Sequence, residues 1–402
     1  MLLHRLVPDR FSTEFPTCAV LGVVDGWGFG PIHSKKGEIL TDAHGDYETR
    51  SVLDLTAVGL SNYLAHPTTD AWCFSYRLGK EPVRRWNEGD PLDILFPLFT
   101  HIANGGIFKG HNVLFEIGVT NEIMHKRHGW PMKLDVRQCR CTMAMGYAMA
   151  LPGSLEKMAP ALGISEAKDA AGKRLMLQMC RPREIKPDGM IVWWDDAEKR
   201  ERLGQYCDQD VITESAADER LMPLSEAEQT LWELDAIINL RGIYVDQRAI
   251  KNAIALVQAE QDRLNLAMRK VTGNFVGFCT EVKRLTDWVR YQGVPVNGLA
   301  KADVLDALAD STLPGPVREA LLLRQEAGKS STAKLNAMLS RVSADGRIRG
   351  TLQYHGAAPG RWAGRGIQLH NYPRIKVDPG TQKPIITQEE AEEVLDLLSA
   401  AA

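Results

Sequence analysis

Cysteine is sparse and unpatterned in this 402-residue chain, with seven residues, an odd number, at no framework spacing. That excludes a disulfide-stapled secreted scaffold and fits a reducing cytosol, so a cytoplasmic location is expected. Cys139 and Cys141 form a lone C-x-C with no second pair nearby, and they read as ordinary thiols, not zinc ligands. No apolar run is long enough to span a bilayer, so no membrane partner is expected. The start, Met1-Leu2-Leu3-His4-Arg5, lacks the sustained apolar core of a secretory signal. Internal repeats and long low-complexity tracts are absent too. With a net charge of −3, the chain is not a uniformly basic nucleic-acid glove.

One absence is local. Between Gly346 and Ile375 there is no Asp or Glu, while Arg347, Arg349, Arg361, Arg365 and Arg374 are all cationic. Such an asymmetry points to a phosphate-rich partner.

The length implies two or three domains. Residues 1–44 are punctuated by glycine and proline and read as an extension of uncertain structure. Residues 45–223 mix strand-like and helix-like segments, as a single α/β domain does. A hairpin fits Ala71–Tyr76 with Pro82–Trp86, a short strand fits Gly106–Gly110, and helices fit Asp93–Ala103, Leu114–Arg127 and Ala197–Glu214. Residues 224–402 are mostly helical. Ser225 with Glu228 forms a capping box, and Asp246 caps a helix ending near Gly273. Further helices fit Thr280–Gln292, Lys301–Ala309 and Pro316–Val342, followed by a strand over Arg347–Tyr354. A last helix fits after Thr387 and Glu390.

Three acidic motifs stand in order. Asp46-Tyr47-Glu48 places two carboxylates at i and i+2, on one face of an extended strand. Asn112-Val113-Leu114-Phe115-Glu116 places a third in the first turn of a helix. Tyr206 and Asp210, at i and i+4, share a helical face, which turns Asp208 away. Taken singly, each reads as well as a solvated acid or a favourable charge near a helix N-terminus. His111 reads as structural or substrate-lining.

In combination, the three motifs resemble the exonuclease motifs of the DEDDy proofreading exonucleases. The intervening text resembles the phage branch of the family A DNA polymerases: Asp46-Tyr47-Glu48-Thr49-Arg50-Ser51, Leu151-Pro152-Gly153-Ser154-Leu155-Glu156, and Lys173 through Arg181-Pro182. The resemblance covers roughly residues 45–375. It implies a ribonuclease H-like mixed-sheet exonuclease domain, then a mostly helical polymerase thumb and a partial palm. It also implies two divalent ions, Mg²⁺ or Mn²⁺, because hard cations take oxygen ligands. Asp46 would bridge both, Glu48 and Asp210 would hold one, and Tyr206 would orient the attacking water. Glu116 stands where the wider family has Asp, one methylene shorter.

The resemblance extends to DNA contacts. Arg324, Lys329 and Lys334 match the helix leading from thumb to palm. Arg349, Arg361, Arg365, Gln368 and Asn371 match the segment that follows the primer–template minor groove. Asn112 and Phe115 would line the single-stranded 3′ end. Pro359 and His370 replace the Thr and Gln usual in the family. Beyond Arg374 no palm aspartates or fingers helix are read, so nucleotide addition by this stretch alone is not expected; a truncated chain, a fragment, or a split product with a companion chain carrying the remainder are all open. Two other readings are a ribonuclease D-like RNA exonuclease and a DNA-binding subunit with a decayed nuclease site.

Overall fold

The computed structural model describes residues 41–164, 169–328, 333–357 and 359–368. Residues 1–40, Lys329, Asn371 and the expected helix after Thr387 lie outside them. The described part is mixed α/β and divides into two compact units.

The first unit is built on five strands: β1 (Ala43–Arg50), β2 (Asp70–Leu78), β3 (Arg84–Asn87), β4 (Phe108–Gly110) and β5 (Cys139–Cys141). Their order is β3-β2-β1-β4-β5. The β1–β2 and β2–β3 pairs are antiparallel, and β1–β4 and β4–β5 are parallel, so the sheet is mixed. The expected hairpin is β2–β3, and the expected short strand is β4.

Strand β1 organises both faces. Alternate side chains point to opposite sides of a strand, which separates Ala43, Gly45 and Tyr47 from His44, Asp46 and Glu48. Tyr47 joins an aromatic core: its ring centroid lies 4.2 Å from that of Phe74, and Trp130 meets Phe74, Trp86 and Phe99 edge-on. Trp130, Phe74 and Phe108 are fully buried. The helix Ala197–Asp218, hereafter the site helix, packs on β1 and β2. Asp196 caps it, accepting from the Lys199 amide.

Two expected helices are less regular than their periodicity predicts. The 93–103 segment begins with a 3₁₀ turn, Leu92–Leu95, and turns α-helical at Phe96–Ala103, where Pro97 is tolerated in the first turn. The 114–127 segment is α over Leu114–Gly118, π over Val119–His125, and α again over Lys126–His128. Gly129, at φ 69°, ends it in the left-handed region.

The unit does not stop near residue 223. Helix Glu226–Arg241, capped by Ser225 as expected, buries Trp232 and Ala236 in the same core as the sheet. After the chain leaves at residue 244, it returns at Arg341. Ile243–Tyr244 pairs antiparallel with Arg347–Ile348, and Tyr354 joins the core. The strand expected over 347–354 consists of two short pieces, Arg347–Ile348 and Leu352–Gln353, separated at Gly350, whose φ is 65°.

Residues 245–340 form the second unit. Its helices are Gln247–Val271, Val282–Tyr291, Lys301–Ala309, Gly315–Ala327 and Ala333–Arg341, the last of which ends at the boundary. Asp246 caps the first, accepting from the Ala249 amide at 2.9 Å. Leu264, Met268, Leu285, Trp288, Val289, Val317 and Leu321 form its core. The helix expected over 316–342 is two helices, with Gly328 closing the first. No described helix is long and apolar enough to cross a membrane.

Gly45 is the tightest point of β1. A Cβ there would stand 2.9 Å from the ring tips of Phe108 and Phe74, both wholly buried. Gly45→Ala is therefore expected to destabilise the protein by about 1–3 kcal/mol through overpacking. A urea midpoint identical to that of the parent would contradict this packing.

Candidate functional site

The even-numbered face of β1 meets the site helix at a carboxylate cluster. Asp46, Glu48 and Asp210 each offer an oxygen, and the three lie within 4.8 Å of one another. Among the described residues this is the one grouping of three or more acids, histidines or cysteines with metal-ligand spacing. Glu48 is buried, and Asp46 and Asp210 are half-buried. The ladder steps irregularly between Glu48 and Thr49, a bulge of the kind that re-aims side chains beside sites. Tyr206 lies one helical turn before Asp210, buried, with its hydroxyl hydrogen-bonded to that carboxylate. Asp208 is turned away as expected: it accepts from Ser75 Oγ at 2.6 Å and Arg85 Nη1 at 3.2 Å.

Electrostatics make the cluster a site for positive charge. Burial, then the charge of Asp210, holds the Asp46 carboxyl well above the usual range. Burial and Asp46 do the same to Glu48. The Cys207 thiol opposes the trend weakly, lying 3.3 Å from the Asp46 carbonyl oxygen and 3.6 Å from Oδ2. Like charges in a low dielectric disfavour one another's ionised form, and a hard cation with oxygen affinity reverses that preference. The donor set fits such an ion.

Glu116 is placed differently. It sits in the first turn of Leu114–Gly118, is 2% exposed, and its Oε2 has no hydrogen-bond partner. It does not belong to the trio within 4.8 Å, although burial and the Asp46 charge push its carboxyl up. The preceding turn uses Asn112 at φ 71°, a left-handed conformation that asparagine tolerates. Phe115 packs at the core edge. His111 bonds Gly153 O at 2.8 Å and Thr142 Oγ1 at 3.2 Å, a structural placement. All described cysteines are free.

A second polar layer, outside the three motifs, lies along the same strand and helix and is joined by Lys109 of β4. His44 Nδ1 lies 2.6 Å from Glu214 Oε2, both buried, and Lys109 bridges Asp218 at 2.7 Å and Asp42 at 2.8 Å. The signal was present as His44-x-Asp46-x-Glu48 on the strand and Asp210, Glu214, Asp218 at four-residue steps on the helix.

No family model matches the chain. The DNA polymerase of Bacillus phage SP02 is 34% identical over 344 residues, which is 83% of this chain and 51% of that protein. Over most of its length the chain is thus similar to a phage DNA polymerase. It spans about half the length of that relative. A solved structure, the POL domain of Pol1 from M. smegmatis in complex with DNA primer-template and dNTP, is similar at a TM-score of 0.46 and 15% identity. That likeness covers 81% of this chain and 56% of the other, and is too distant to decide fold or function.

In this polymerase relative the expected DNA-contact residues are not equivalent. Arg349 is committed within the protein, donating to Asp345 at 3.0 Å and to Leu240 O at 2.8 Å. Arg324 donates to Cys279 O at 3.3 Å. Arg361, Arg365, Gln368 and Lys334 are exposed. Between the first two arginines Trp362 donates to the buried Asp235 at 2.7 Å, fixing the strip to helix Glu226–Arg241.

The raised carboxyl groups carry a stability consequence. When the folded-state pKa lies above the unfolded value, the native state holds more protons in between, so stability falls as pH rises through that window. Without divalent ions, melting temperature is thus expected to fall from mildly acidic to alkaline pH. Asp46→Asn in EDTA at pH 8 should raise it by a few degrees, as about 1 kcal/mol would in a unit of this size. The same change should abolish the rise that Mn²⁺ gives the parent. A lower melting temperature for Asp46→Asn in EDTA would contradict the repulsive cluster.

Proposed function

We propose that the chain carries the metal-dependent 3′–5′ exonuclease of a phage family A DNA polymerase, on a ribonuclease H-like domain, with a proofreading role in DNA replication. The observation that carries this reading is three carboxylates with donor atoms within 4.8 Å, beside a tyrosine hydroxyl, in a relative of a phage DNA polymerase. A pair of Mg²⁺ or Mn²⁺ ions held there would supply an activated water and stabilise the leaving oxygen of a phosphodiester. Asp46, Glu48 and Asp210 are the groups to hold them. The Tyr206 hydroxyl, raised by burial and by Asp210, stays protonated, and once Asp210 is engaged by an ion its proton would be free to turn to a water or the scissile phosphate. Glu116 is one step further back and contributes through water. The substrate is a single-stranded DNA 3′ end, with Asn112 and Phe115 on its approach.

Asp46→Ala and Asp210→Ala are each expected to lower hydrolysis of a 3′-labelled DNA oligonucleotide by ~10²-fold or more. Tyr206→Phe, which keeps every carboxylate, should lose less. Turnover near that of the parent in either Asp variant at saturating Mg²⁺ would refute the assignment. Faster cleavage of the matching RNA oligonucleotide would favour an RNA exonuclease instead.

The exposed strip arginines support a second part of the proposal, binding of primer–template DNA. Replacing Arg361 and Arg365 together by Ala should flatten the slope of log affinity against log salt by about two on duplex DNA. An unchanged slope would assign this strip to solvent.

A further inference from the structure

Two buried carboxylate oxygens near Asp46 have no donor: Glu116 Oε2 and Glu214 Oε1. Their residues are only 2% and 4% exposed. A buried charged acceptor without a partner is among the costliest arrangements in a protein interior, and a native structure that keeps two invites a donor to fill the space between.

Glu214 is held so that one oxygen remains free. Its Oε2 is taken by His44 Nδ1 at 2.6 Å. The other ring nitrogen of His44 lies 4.0 Å from Asp218, which Lys109 grips at 2.7 Å. His44 precedes Asp46 by two residues on β1, and Glu214 follows Asp210 by one turn of the site helix. The bracing thus grows from the same two elements that carry the trio. The Glu214 charge is felt by both Asp46 and Glu116, so three acids converge on one region. Glu214 and Glu116 are nevertheless outside the trio within 4.8 Å. A water bound to an ion at the trio would supply the donor that each lacks. Mg²⁺ in particular keeps several waters, and these are strong donors.

We propose that Glu214, locked by His44, is an outer-sphere anchor for a divalent ion held at Asp46, its free Oε1 accepting from a water on that ion, with Glu116 doing the same nearby. This rests on the metal-centre reading above. The competing role is a plain ion pair tying β1 to the site helix, for which removal of the Glu214 charge would change stability but not affinity for metal.

The test is Mn²⁺ binding to the full chain without nucleic acid, following free aqueous Mn²⁺ by electron paramagnetic resonance, alongside melting curves in EDTA. Glu214→Gln is expected to weaken Mn²⁺ binding 10–100-fold, the usual effect of removing an outer-shell partner. Glu214→Asp, which keeps the charge but shortens the reach, should weaken it less, and His44→Gln should weaken it several-fold by unlocking the carboxylate. A parent isotherm for Glu214→Gln, or for Glu214→Asp and His44→Gln together should the first not fold, overturns the proposal. A parent protein that binds no Mn²⁺, or binds it equally after Asp46→Ala, would sink the metal centre itself. Binding that needs Asp46 but ignores Glu214 sinks only this inference.

Discussion

Repulsion between carboxylates gathered at one seam is the constraint around which the sheet unit is arranged. Asp46 and Glu48 face the site helix from β1, and Asp210 faces back. Nothing in folding alone favours bringing these charges out of water together. The surroundings compensate by rigidity. One side of β1 is locked into aromatic packing, so the strand cannot slip register without moving Tyr47 out of the core and the acids into it. On the other side Asp208, two residues before Asp210, is anchored to β2 and β3 through Ser75 and Arg85. The helix is pinned by a residue that takes no part in the cluster.

Much of this was legible beforehand, because it rests on short-range rules. Alternation along Asp46-Tyr47-Glu48 and the four-residue step from Tyr206 to Asp210 are consequences of strand and helix geometry, and they assembled as spacing implies. Capping by Ser225 and Asp246 was equally local. What failed to show was set by tertiary packing. The π segment after Glu116 has no period that distinguishes it from an α-helix in sequence. His44, Glu214 and Asp218 escaped notice because each looks like an ordinary charged residue until the two elements are laid together.

The arginine-rich strip shows the same limit from the other direction. Composition marked Arg349, Arg361 and Arg365 alike, as cations in a tract without acids. The tract lacks acids only along the chain. Asp345 reaches Arg349 from just upstream, and Asp235 reaches Trp362 from a helix more than a hundred residues earlier. A run of one sign in sequence is therefore a poor guide to which charges remain available, and the neighbours in space decide.

The return of the chain at Arg341 has a consequence for how this protein is made and altered. Residues 245–340 form a compact excursion, closed by the pairing of Ile243 with Ile348 and Tyr244 with Arg347. During synthesis, the helix carrying Trp232 and Ala236 emerges well before Tyr354, its core partner, so the sheet unit stays unfinished until the excursion has been translated. The entropy of closing such a loop grows only slowly with its length, by roughly 0.6 kcal/mol per doubling. Residues added at exposed turns of the excursion thus cost the sheet unit little entropy, whereas changes at Ile243 or Ile348 act on the pairing that closes it. In that sense the sheet unit is assembled from two stretches of chain that synthesis delivers about a hundred residues apart.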